Sequence, residues 1–172
     1  TSRRQRQMCI RDSVSAKQLE RPDFCRVVLE LLDKTEFPVR HLCLEITERC
    51  RSLPVSVINE RMAVLRGYGI KFAMDDFGTG SSSSAMALEM LIDEIKIDMS
   101  FIRKILVNKK NKAIVQSMVD FANAANIKSC LEGVENKALE DYLRTVGATW
   151  FQGYYYSKPV GADELEILLS AK

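Results

Sequence analysis

The chain has 172 residues, of which 47% are hydrophobic and 28% charged, so disordered, collagen-like and low-complexity classes are excluded and one domain, or part of a larger one, is expected. Twenty-five Lys and Arg against 23 Asp and Glu leave a net charge of +2, which carries no signature of a nucleic-acid polymer as partner. The longest apolar run, around Val27 to Leu32, is interrupted by Glu30 and falls well short of a membrane span, and the basic N-terminus is followed by no apolar signal segment.

Thr1 to Ser13 (TSRRQRQMCIRDS) has four arginines and no useful periodicity. It reads as a frayed basic tail, or as translated adaptor sequence that is not native protein. Regular patterning starts near Val14. Pro22 to Thr35 places Phe24, Val27, Val28, Leu31 and Leu32 on one helical stripe, with Pro22 suited to a first helical turn. His41 to Thr47 alternates as a strand. Val57 to Tyr68 is a helix with Ile58, Met62 and Leu65 inward, closed by Gly67 and Gly69. Ile70 to Met74 is the next strand, followed by a Gly/Ser loop, a short helix and the strand Glu94 to Ile97.

A helix over Lys112 to Asn126 carries Val115, Met118, Val119 and Ala122 on one face. Ile127 to Leu131 reads as a strand, Lys137 to Val146 as a helix, Thr149 to Tyr154 as a strand and Ala162 to Leu169 as a last helix. Strand–helix alternation at this spacing implies a parallel sheet with helical cover. The polar residues choose its form. Five successive strands end in Glu45 and Glu48, Asp75 and Asp76, Lys96 and Asp98, Glu132 and Glu135, and Gln152. One acid at a strand end is commonly a helix N-cap. Five such ends in a row point to one convergent site, as in an α/β TIM-like (β/α)8 barrel, whereas a doubly wound sheet gathers its site at one switch point.

The chemistry available is narrow. The five cysteines show no CxxC spacing and read as small core residues of a reducing compartment. The one histidine, His41, rules out most zinc sites and Ser-His-Asp triads. Adjacent carboxylates at Asp75 and Asp76 repel unless a cation neutralises them, and with Glu45 and Glu132 they form an all-oxygen set suited to Mg²⁺ or Mn²⁺. Phe77, Gly78, Thr79 and Gly80 form a loop that is neither a dinucleotide fingerprint nor a P-loop, since Ser83 stands where the former needs Gly and no GK[ST] follows. Lys96, inside the apolar strand EIKID, would stay charged beside acids and could orient water or offset phosphoryl charge. Arg103, Lys104, Lys109, Lys110 and Lys112 read as a solvated helical face.

The segments SAKQL (15–19), LEITE (44–48), DDFGTG (75–80), DEIKIDMSFI (93–102), EGVE (132–135) and QGYYYSKP (152–159), in this order, resemble the EAL domain, the cyclic di-GMP phosphodiesterase family. The resemblance runs from Val14 to the C-terminus and covers about the last two thirds of such a domain, a (β/α)8 barrel shortened at its N-terminal side. It implies hydrolysis of cyclic di-GMP to linear pGpG with two divalent cations, expected of the intact parent and left open for this fragment. Position by position, Glu45, Asp75 and Asp76 are implied as metal ligands, Lys96 as the water-positioning lysine, and Glu132 as the catalytic glutamate. Gln152 is implied as an amide holding the water, Glu48 as the anchor of the DDFGTG loop, and Phe77 to Gly80 as the loop at the site.

The family also implies a cytoplasmic domain that pairs as a homodimer in many members. An upstream sensory or diguanylate-cyclase-like domain is common, and some members are anchored in a membrane through upstream segments. There are three departures. The glutamate of the family's E-x-L motif lies upstream of this chain. Ser13 stands where the family has a metal-binding Asn. Ser81 and Ser84 replace Tyr and Leu after the loop. The last two favour a second reading, an inactive cyclic di-GMP sensor or protein-interaction domain.

Overall fold

A computed structural model of the chain describes residues 10–47, 53–80, 83–161 and 164. Six strands pair in parallel, in sequence order and without reversal: β1 (Ile10–Val14), β2 (Leu42–Thr47), β3 (Lys71–Phe77), β4 (Glu94–Ile97), β5 (Lys128–Glu132) and β6 (Trp150–Gln152). Unreversed order is that of a sheet curling in one direction, as in a (β/α) barrel. It removes the switch point on which a doubly wound site depends.

Between the strands run α1 (Ala16–Glu20), α2 (Phe24–Thr35), α3 (Val55–Gly67), α4 (Ser83–Glu89), α5 (Met99–Ile102), α6 (Lys109–Ala124) and α7 (Lys137–Arg144). Capping chemistry explains where four of them begin. Ser15 and Gln18 form a reciprocal capping box for α1: the Ser15 hydroxyl accepts from the Gln18 N–H at 3.3 Å, and Gln18 Oε1 accepts from the Ser15 N–H at 2.9 Å. Asp98, Asn108 and Asn136 accept from backbone N–H groups in the first turns of α5, α6 and α7. Among the described residues, no helix is long and apolar enough to cross a membrane.

Alternation along the strands sorts side chains between two faces. Leu44, Ile46, Phe72, Met74, Ile95, Ile97 and Leu131 face the helices and are buried. They pack with Ile58, Met62 and Leu65 of α3, Val115, Val119 and Ala122 of α6, and Leu139 and Leu143 of α7. The opposite, inner face carries Glu45, Lys96, Cys130 and Glu132. Trp150 also lies on this face, 47% exposed, with Lys128 Nζ 5.4 Å from the ring centroid.

The structure differs from the sequence reading in four places. Residues 10–13, grouped with the tail, form β1 with Val14 and run in register with β2 from Ile10↔Leu42 to Val14↔Ile46. Backbone pairing at a sheet edge needs no side-chain periodicity, so the pattern did not reveal it. Strand β3 continues past Met74 to Phe77, across a register shift between Met74 and Phe77. Helix α5 lies between the expected strand Glu94 to Ile97 and the expected helix from Lys112, in a stretch given no element, and α6 starts three residues early behind its Asn108 cap. The helix expected over Ala162 to Leu169 lies, apart from Glu164, outside the described residues.

Phe72, fully buried between sheet and helices, is a test of this packing. Phe72→Ala should cost about 3–5 kcal/mol of unfolding free energy, read from denaturant midpoints. A loss under about 1 kcal/mol would mean that the helices do not pack on the sheet as described.

Candidate functional site

Three strands deliver carboxylates to one point on the inner face, and a fourth delivers the cation that accommodates them. Lys96 of β4 donates from Nζ to Glu45 Oε2 of β2 and to Asp75 Oδ1 of β3, both at 2.9 Å, and stands 2.9 Å from Glu132 Oε1 of β5. The pairing Thr47↔Asp75 and the register Lys96↔Cys130 bring these positions to one end of the sheet. The Lys96 and Glu45 side chains retain 6% and 8% of their exposure. Burial works to lower the Lys96 pKa, but the hydrogen bonds to Asp75, Glu45 and Glu132 outweigh it and hold the group above the ordinary lysine value, fully charged. Burial likewise raises the Glu132 pKa. Lys96 pulls it back, while Asp75 and Glu45 push it up again.

A second layer lies one inward-facing position deeper. Arg11 of β1 stands 3.4 Å from Glu45 Oε1 and 2.9 Å from Glu94 Oε1. Four carboxylates thus face two cations, and the strand ends keep an excess of negative charge. The Cys130 thiol in this layer is pushed up to about 12, mainly by burial. That keeps it protonated and fits its reading as a core residue rather than a nucleophile.

The strand end at Asp75-Asp76 has the form of a β-bulge. Asp76 takes φ 54°, a left-handed conformation uncommon outside glycine. Adjacent residues of a regular strand point to opposite faces, and the bulge is where β3 departs from that rule. Asp75 joins the Lys96 cluster, and Asp76 is exposed at the rim, its carbonyl accepting from the Thr79 N–H and hydroxyl. Phe77 belongs to β3 and not to the loop. It is buried and stacks on Phe121 of α6 with ring centroids 5.9 Å apart. Gly78 passes so near α6 that a Cβ there would sit 2.3 Å from Met118 Cε. Thr79 and Gly80 are exposed, and Glu48 lies outside the described residues.

Gln152 ends β6 and lines an open cleft of about 220 Å³ with Glu132, Glu135, Met99, Arg103 and Tyr154. The Gln152 carbonyl accepts from the Val134 N–H at 3.0 Å, and the Tyr155 N–H donates to the Val134 carbonyl at 3.0 Å. This clasp joins the loops after β5 and β6. Gly153 makes it possible, because a Cβ there would lie 2.1 Å from the Val134 oxygen. Sequence reasoning missed the roles of Met99, Arg103 and Tyr154 as cleft walls. It also passed over Glu94, although the two-residue spacing from Lys96 places it on the same face.

The donor set at the strand ends consists of carboxylate oxygens, the chemistry preferred by Mg²⁺, Mn²⁺ and Ca²⁺, and its surplus negative charge favours a further cation. Among the described residues, no three acids, cysteines or histidines stand close enough to close round a metal ion. The space between Glu45, Asp75 and Glu132 is taken by the Lys96 ammonium. In kind and charge, Glu45, Asp75 and Asp76 suit divalent ions.

A family model for the EAL domain matches residues 2–159. The chain is 32% identical over 151 residues to cyclic di-GMP phosphodiesterase PdeB of Shewanella oneidensis, an alignment spanning 88% of this chain and 18% of that protein. Among solved structures, the EAL enzyme Bd1971 in its cAMP- and cyclic-di-GMP-bound form matches with a TM-score of 0.89 at 33% identity, over 94% of this chain and 43% of that one. Klebsiella pneumoniae BlrP1, in a manganese and cyclic di-GMP complex, matches with a TM-score of 0.76 at 27% identity, over 86% of this chain and 38% of that one. The chain spans less than a third of the length of the curated relatives it matches.

The charge excess has a thermodynamic consequence. Because the Glu132 pKa is raised on folding, its stabilising contribution is complete below the unfolded value of about 4.3 and is lost as pH rises through the folded value. Glu132→Gln keeps an acceptor for Lys96 and removes the charge. Without added metal, this variant should melt at a higher temperature than the parent at pH 7, and the difference should vanish near pH 4. A lower melting temperature at pH 7 would show that Lys96 needs all three charges.

Proposed function

The chain belongs to the EAL domain family, and from that membership we propose that it is the catalytic part of a cyclic di-GMP phosphodiesterase that hydrolyses one phosphodiester bond with the help of two divalent cations. The observation that carries this reading is the Lys96 ammonium 2.9 Å from carboxylates of three different strands. A structural ion pair needs one partner. A cation shared by three acids is a site for placing charge and water.

Glu45, Asp75 and Asp76 are the residues that would hold the ions. Bound there, two such cations would lower the pKa of a water and clamp the phosphodiester oxygens. Lys96 holds the attacking water in line and offsets charge developing on the phosphoryl oxygens. Glu132, its pKa raised by burial, accepts a proton from that water. The Gln152 amide orients the same water from the β6 side. The clasp at Gly153 fixes Gln152 relative to Glu132, so that the two approach one reacting atom from adjacent strands. Cyclic di-GMP, named for PdeB and present in the two solved neighbours, is the substrate that fits this chemistry.

One observation favours a second reading, binding without turnover. Ser13 is paired in register with Glu45, and its short neutral side chain is a weaker donor than the amide the family carries there. The two readings separate in one assay. With Mg²⁺ or Mn²⁺, the chain should convert cyclic di-GMP to pGpG, followed chromatographically, and Lys96→Ala and Glu132→Gln should each lower the rate by at least about 100-fold. Cyclic di-GMP bound but left intact by the parent chain would select the sensor reading. Undiminished turnover in Lys96→Ala would end the mechanism above.

A further inference from the structure

The connection from α5 to α6 combines positive charge with an apolar tip, and the proposed hydrolysis uses neither. From Met99 to Val119 the chain has five cations, Arg103, Lys104, Lys109, Lys110 and Lys112, and no acid. The whole chain is only +2, so the remainder is net acidic. The sequence groups the five on one helical face, but the structure divides them. Arg103 and Lys104 precede α6 in a turn, Lys109 and Lys110 open the helix, and Lys112 is half-buried with Nζ 4.7 Å from the Tyr142 ring centroid. The side chains of the first four are exposed and make no hydrogen bond or ion pair among the described residues. Lys109 and Lys110 also stand in a first helical turn that holds no acid, where the helix dipole disfavours cations. Four unneutralised cations on one short stretch carry an electrostatic cost that an anion relieves.

The turn between them holds aliphatic side chains out into solvent. Ile102 and Ile105 are fully buried and pin it to the core, while Leu106 is 43% and Val107 87% exposed. The Lys104 carbonyl accepts from the Val107 N–H at 3.2 Å and from the Asn108 N–H at 2.9 Å, and the Asn111 amide donates to the Phe101 carbonyl at 2.7 Å. The tip is therefore a fixed, hydrogen-bonded turn. A lone exposed aliphatic needs no explanation. Two adjacent ones in a pinned turn, with unpaired cations on both sides, do.

We propose that this turn docks on an anionic lipid surface, with Leu106 and Val107 entering the headgroup layer and Arg103, Lys104, Lys109 and Lys110 on the lipid phosphates. A bilayer bearing acidic lipids supplies both halves of the match, negative charge at its surface and hydrocarbon behind it. Other partners of a basic patch fit less well. A nucleic-acid strand offers phosphates but gives the two aliphatic side chains nothing to enter, and the turn has no exposed aromatic ring on which a base could stack. Protein interfaces are enriched in aromatic residues and depleted in lysine, the reverse of this stretch. Charge and apolar insertion are each weak alone and add when both engage one surface. Arg103 also lines the cleft beside Glu132, so docking brings that side of the sheet to the bilayer.

The test is flotation of the full 172-residue chain with vesicles of phosphatidylcholine, alone or mixed with phosphatidylglycerol, at low and high salt with divalent cations chelated. The chain should bind only the phosphatidylglycerol vesicles and leave them at high salt. Lys104→Ala, Lys109→Ala and Lys110→Ala combined should lower the partition coefficient about 100-fold, at about fivefold per lysine. Val107→Ser should lower it about 10-fold and leave its salt dependence unchanged. The same charge removed at three other exposed lysines, Lys17→Ala, Lys34→Ala and Lys71→Ala combined, should change it by less than about threefold. All of these are surface substitutions that should melt as the parent does, which separates lost binding from lost fold. Parental binding by the first triple variant would overturn the assignment, and so would an equal loss in the second. Equal binding to uncharged vesicles would also overturn it. DNA or polyglutamate bound as tightly as the vesicles, with Val107→Ser without effect, would replace the lipid surface by a soluble polyanion and overturn it too.

Discussion

Three carboxylates cannot share a largely buried strand end unless a cation stands among them. Ionised acids at that separation repel, and burial penalises each of them further. Lys96 resolves the conflict, and much of the architecture can be understood as the means of placing one ammonium 2.9 Å from Glu45, Asp75 and Glu132. Parallel strands in sequence order bring their C-terminal ends to one side of the sheet. Two-residue alternation turns Glu45, Lys96 and Glu132 inward, while Ile46, Ile97 and Leu131 face the helices. The bulge at Asp76 ends the regular alternation where β3 meets the rim.

The outer face supplies what the inner face costs. Its branched and aromatic side chains, Phe72, Ile95 and Ile97 among them, are almost wholly withdrawn from water against α3, α6 and α7. That apolar layer holds the strands in register, so that polar groups on the other face can be carried in a geometry they would not adopt alone. The loops are tied down in the same economical way. Gly153 lets the chain after β6 lie against the Val134 backbone, and Gly78 lets the turn after β3 approach Met118. Phe77 stacked on Phe121 then couples that turn to α6.

Sequence patterning revealed the parts of this protein governed by period and by charge. The helix stripe of Ile58, Met62 and Leu65, the strand EIKI and the acids at successive strand ends are all visible in one dimension. Joining Glu45, Asp75, Lys96 and Glu132 required only that neighbouring strands end on the same side. The rest was less legible for particular reasons. The β1 pairing uses backbone groups that no side chain announces. Helix α5 is four residues long and shows itself only through its cap, Asp98, which looks like one more strand-end acid. The cleft depends on Arg103, Glu135 and Tyr154 meeting from three loops, and loop courses carry no periodic signal. Glu94 was legible in principle, two residues before Lys96 on the same face, but a lone acid at the start of a strand looks like a solvated end.

The chain contains a single tryptophan, and the fold puts it on the inner face of β6, half-exposed, next to Lys128 and two residues before Gln152. An indole in that position is a built-in optical reporter. Its emission responds to whatever covers, fills or dries that side of the sheet, while the buried side chains of the helix-facing layer contribute no competing indole signal. Assembly of the inner face can therefore be followed in unlabelled protein, separately from the secondary structure that surrounds it.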